Sequence, residues 1–173
     1  MKTNMLYNGK VFPKYIFTDK VKAYLFVEFD IVFLDREFWK IMKSFLAIKN
    51  ISCVVVQNLE PNYHFNETIK TNDLPNAFVE LVRKEVLEGY FDFKANLHML
   101  TNRTLIYPVD EDELCIALDR DYSIGIIGFT DKDQVQMFNE YAIGDILDYL
   151  KVNFAGKELP NSFKDELNKN WNL

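Results

Sequence analysis

The segment 114–129 constrains the fold more than any other part of the chain. Leu114, Ile116 and Leu118 alternate with Cys115, Ala117 and Asp119. After the interruption Asp119-Arg120-Asp121-Tyr122, Ile124, Ile126 and Gly128 alternate with Gly125, Ile127 and Phe129. A period of two on both sides of a short polar break specifies a β-hairpin, because successive strand side chains point to opposite faces.

Other segments extend this pattern. Residues 14–18 and 22–33 are rich in Tyr, Phe, Val and Ile and read as strands around an Asp19-Lys20 turn. Asp35 can N-cap a helix running to about Lys49, with Phe38, Met42, Phe45 and Leu46 at helical spacing. Ile51 to Val56 is a β-branched run that reads as a buried strand. Residues 58–72 are polar and read as a loop. Asp73 before Leu74-Pro75 marks a second helix start, with Phe78, Leu81, Val82 and Val86 as its apolar stripe and Gly89 as its stop. Tyr90 to Phe93, Leu97 to Leu100 and Thr104 to Val109 are short strand candidates. Thr130-x-x-Asp133 resembles a capping box and opens a helix to about Tyr141. Gly144 breaks it, and a further helix covers 145–154. In the tail, 155–173, Phe163, Leu167 and Trp171 at helical spacing predict a docked C-terminal helix.

Strands and helices therefore mix without strict alternation. That favours an α+β fold: a single domain over 1–173, mostly antiparallel sheet, with helices packed on one face. The length of 173 residues suits one domain, and a 49% hydrophobic, 15% aromatic composition supplies a core and excludes wholesale disorder. No apolar run approaches a membrane span. The first ten residues contain no apolar export segment, so a cytoplasmic location is expected. Cys53 and Cys115 each sit in an apolar run and read as buried thiols.

The net charge of −6 argues against a general nucleic-acid binder. Its distribution says more. Residues 1–49 hold 9 basic and 5 acidic side chains, whereas residues 105–150 hold 2 basic and 11 acidic ones, a local net of −9. A field of that size steers a cationic partner, while the simpler reading is a solvated surface. The aromatic, mildly basic first 49 residues read as core with Lys at the rim rather than as a single-strand nucleic-acid platform.

Metal and nucleophile patterns are sparse. His64 and His98 stand apart, no Cys-x-x-Cys or His-Glu-x-x-His occurs, and no cofactor is implied. The one enzymatic alternative is Asp119-Arg120-Asp121 after an apolar strand. It is similar to the Asp-x-Asp of haloacid-dehalogenase-type phosphatases, where the first Asp attacks and Mg²⁺ is held between the two. Gly144-Asp145-Ile146-Leu147-Asp148 is similar to that family's later acidic motif but one residue short. Asp119 also lies deep in the chain, and its strand returns directly as another, so a plain β-turn is the competing reading.

Leu105-Ile106-Tyr107-Pro108, the run Asp110-Glu111-Asp112-Glu113, the strand to Asp119-Arg120-Asp121-Tyr122 and the return Ile124 to Phe129 together resemble small acidic bacterial immunity-type proteins of polymorphic toxin systems. The resemblance covers about 25 residues. It implies a cytoplasmic, non-enzymatic protein that binds and blocks a cognate, basic toxin domain. The expected contact residues are Asp110, Glu111, Asp112, Glu113, Asp119 and Asp121; no catalytic or metal-binding residue and no cofactor is expected.

Overall fold

The computed structural model describes residues 3–58, 66–78, 103–110, 112–153, 158–171 and 173. Strands β1 (Ala23–Glu28), β2 (Cys53–Asn58), β3 (Asn66–Lys70), β4 (Arg103–Pro108), β5 (Leu114–Asp119) and β6 (Ile124–Phe129) form one sheet in the order β1-β6-β5-β4-β2-β3. Every neighbouring pair is antiparallel. Helices α1 (Phe29–Leu34), α2 (Arg36–Ile48), α3 (Ile146–Asn153) and α4 (Asn161–Trp171) accompany it, with 3-10 turns at Thr71–Asp73 and Lys132–Tyr141. The class is α+β with an antiparallel sheet, as the strand patterns predict. No helix among the described residues is long and apolar enough to cross a membrane.

The alternation along each strand sorts its side chains into two cores. The first core draws Leu25 and Val27 from β1, Val54 and Val56 from β2, Ile106 from β4, Leu114, Ile116 and Leu118 from β5, and Ile127 and Phe129 from β6. These meet Phe38, Trp39, Met42, Phe45 and Leu46 of α2 and Phe138 of the second 3-10 helix. On the other face, Phe26, Val55, Leu105, Tyr107, Cys115, Ile124 and Ile126 meet Met5, Phe12, Ile16 and Phe17 of the N-terminal segment, Ile146 and Leu150 of α3, and Leu167 and Trp171 of α4. The expectation of helices on one face is therefore corrected: both faces are covered. The physical reason lies in β5 and β6, whose residues are apolar at odd and even positions alike and leave neither face fit for water. Gly128 serves this double packing, because a Cβ there would lie 2.6 Å from the Phe17 ring.

Several boundaries differ from the sequence reading. The segment 14–18 forms no strand; it contributes a single bridge, Leu6 to Phe17, and packs as irregular chain. The run 22–33 divides into β1 and α1 at Glu28. β3 occupies part of the expected loop 58–72, and its exposed polar residues hide it from hydrophobic patterning, with Ile69 alone buried. The expected helix at 130–141 is a 3-10 helix, capped by Asp131 rather than Thr130. α2 starts where expected, with the Asp35 side chain accepting from the Glu37 and Phe38 N–H groups. Cys115 is fully buried, whereas Cys53 is half-buried. The strand candidates 90–93 and 97–100, most of the helix after Phe78, and both histidines lie outside the described residues.

Candidate functional site

The five described carboxylates among those singled out by the sequence belong to two opposite ends of the sheet. Asp110, Asp112 and Glu113 lie in the β4–β5 connection, and Glu111 lies outside the described residues. Asp119 and Asp121 lie at the β5–β6 turn. The six residues of β5 separate the two groups by about 17 Å at the usual strand rise. They do not form one patch.

At the β4–β5 end the acidity is matched within the chain. Asp112 forms an ion pair with Lys20 at 2.6 Å and accepts from the Thr3 hydroxyl at 3.1 Å and the Asn4 N–H at 3.3 Å. Partial burial works against its charge, but the bonds from Lys20, Thr3 and Asn4 outweigh it and hold the carboxyl below its ordinary range. Glu113 pairs with Lys49 at 3.0 Å and accepts from the Thr130 hydroxyl and the Gln134 amide. Both lysines come from the first 49 residues, so the basic segment neutralises part of the acidic one. Asp110 remains exposed.

The turn end is built differently. Ser123 N–H donates to the Arg120 carbonyl at 2.9 Å, and Ser123 takes a positive φ of 55° to close the turn. Asp119 is 5% exposed and accepts from Arg103 Nε at 3.1 Å. Burial raises its carboxyl pKa, opposed by Arg103. An attacking carboxylate must meet its substrate, and this one faces a guanidinium inside the fold. Asp121 is exposed.

Tertiary structure brings further carboxylates to this end. Glu28 stands opposite Ile124 at the end of β1, and Asp30 follows in the first turn of α1; both are exposed. The Phe29 N–H donates to the Ser123 carbonyl at 3.0 Å, which ties that junction to the turn. The Tyr149 hydroxyl donates to the same carbonyl at 2.8 Å, which ties α3 to the turn. The exposed Arg120 shares the turn and offsets part of this acidity. Sequence reasoning missed Glu28 and Asp30 because they belong to the segment with net positive charge. The available signal was their position at the end of a strand, which pairing alone could bring to the hairpin turn.

No family model matches the chain, and neither the curated proteins nor the solved structures yield a match. Fold and geometry define it as an antiparallel α+β domain with an acidic end to its sheet.

Proposed function

We propose that the protein is a non-enzymatic protein-binding domain, an immunity-type inhibitor acting in the cytoplasm on a cognate basic toxin domain. The observation that carries this reading is the exposed acidity of the turn end, where the exposed Asp121 of the β5–β6 turn lies at the same end of the sheet as the exposed Glu28 and Asp30 of the β1–α1 junction. Exposed carboxylates of one sign accelerate encounter with a cationic partner and select its orientation. Of the residues named from sequence, Asp121 keeps this role. Asp112 and Glu113 are held in ion pairs, and Asp119 is buried.

The test uses the product of the reading frame directly upstream as the partner. Wild-type protein is expected to bind it and to restore growth of cells that express it. The Glu28→Lys, Asp30→Lys, Asp121→Lys variant is expected to bind roughly tenfold or more weakly at low salt, with the difference shrinking as salt screens the charges. Equal affinity of variant and wild type, or no binding by either, overturns the proposal.

A further inference from the structure

The chain contains a single Asn-Gly pair, Asn8-Gly9. An asparagine side-chain amide is open to attack by the backbone nitrogen of the residue that follows it. A side chain on that residue hinders the attack, and glycine has none. The fold places this pair at the tip of a β-turn, closed by a 3.4 Å bond from the Lys10 N–H to the Tyr7 carbonyl. Asn8 and Gly9 are both exposed. Gly9 takes a φ of 74°, and nothing lies within 4 Å of the position a Cβ would occupy. No backbone carbonyl among the described residues accepts the Gly9 N–H. Two other exposed asparagines in turns are followed by residues held more firmly. Ile51, after Asn50, is buried and β-branched, and its N–H donates to the Leu46 carbonyl at 2.8 Å. Met5, after Asn4, is buried, and its N–H donates to the Thr3 hydroxyl at 3.2 Å.

We propose that Asn8 is a site of spontaneous deamidation in the folded protein. The Gly9 nitrogen, having lost its proton, forms a bond to Asn8 Cγ, and the bond from Cγ to the side-chain nitrogen breaks. That nitrogen takes up the proton and leaves as ammonia. Water then opens the resulting succinimide. Opening at the former side-chain carbonyl gives aspartate; opening at the main-chain carbonyl gives isoaspartate, with the backbone routed through Cβ. Either product adds a carboxylate to the turn that holds Lys10, whose ammonium lies 4.1 Å from the Tyr7 ring centroid. The change stays within one loop, because bonds from the Tyr7 N–H to the Ile16 carbonyl and from the Thr18 N–H to the Met5 carbonyl, each 2.8 Å, clamp its base. The proposal does not depend on the protein-binding reading, because it uses no residue of the acidic turn end.

Peptide mapping by mass spectrometry of the folded protein, incubated at neutral pH and physiological temperature, tests it. An isoaspartyl methyltransferase with S-adenosylmethionine serves as the probe for isoaspartate. Asn8 is expected to convert roughly tenfold or more faster than Asn4 or Asn50, and Gly9→Ala to slow it by roughly tenfold or more. Because alanine is strained at a φ of 74°, the urea-unfolded wild-type chain supplies a second comparison. The folded protein is expected to convert within roughly tenfold of the unfolded rate, as an open loop tip allows. Conversion at Asn8 no faster than at Asn4 and Asn50, an unchanged rate in Gly9→Ala, or a folded rate more than roughly tenfold below the unfolded one overturns the proposal.

Discussion

Asp119 shows how a single residue changes meaning between sequence and structure. In the sequence it opens an Asp-x-Asp; in the fold it is a buried partner of Arg103. Its carboxyl pKa is raised above the ordinary 3.8 by burial. A carboxyl with a raised folded pKa stabilises the fold most when protonated, and that contribution is lost as pH rises through the folded value. Wild-type stability is therefore expected to improve relative to Asp119→Asn as pH falls from neutral toward about 4, because the variant has no proton to bind there. Urea denaturation of both proteins across that range measures the difference, and a constant gap would contradict the assignment. Asp112 works with the opposite sign: its lowered pKa gives stability that is lost as pH falls through the folded value.

At the scale of elements, one residue anchors α4. Trp171 is 1% exposed, and its ring lies 5.0 Å from those of Tyr15 and Tyr24 and 5.1 Å from that of Phe26. Its indole N–H donates to the Pro13 carbonyl at 2.8 Å, and the Tyr24 hydroxyl donates to the Trp171 carbonyl. One residue thus joins the tail, the N-terminal segment and β1. Trp171→Ala is expected to cost about 3–5 kcal/mol in denaturant unfolding, with Trp171→Phe costing less. A loss below about 1 kcal/mol would show that the tail contributes little to the core. The spacing of Phe163, Leu167 and Trp171 made this helix legible in the sequence. β3 was not legible, because an edge strand with one buried residue has no apolar period to read.

For the whole molecule, the order β1-β6-β5-β4-β2-β3 places β5 and β6 inside the sheet with packing on both faces. Hydrogen exchange is expected to be slowest in β5 and β6 and fastest among the strands in β3, whose outer edge pairs with no described strand. Exchange in β6 as fast as in β3, followed by mass spectrometry, would refute this arrangement. The same order explains the charge pattern. It folds the basic first segment against the acidic one, neutralising Asp112 and Glu113 while leaving the turn end acidic.

The sequence by itself determined the hairpin 114–129, the helix capped by Asp35 and the α+β class, because period, capping and β-branching are local properties. Only the tertiary structure decided which faces are covered and which charges remain unpaired. Those depend on strand order and on contacts such as Lys20 with Asp112, between residues far apart in the chain. Local patterning carries no information about such pairs, so the acidic segment could be seen in the sequence, but not that its two ends face different surroundings.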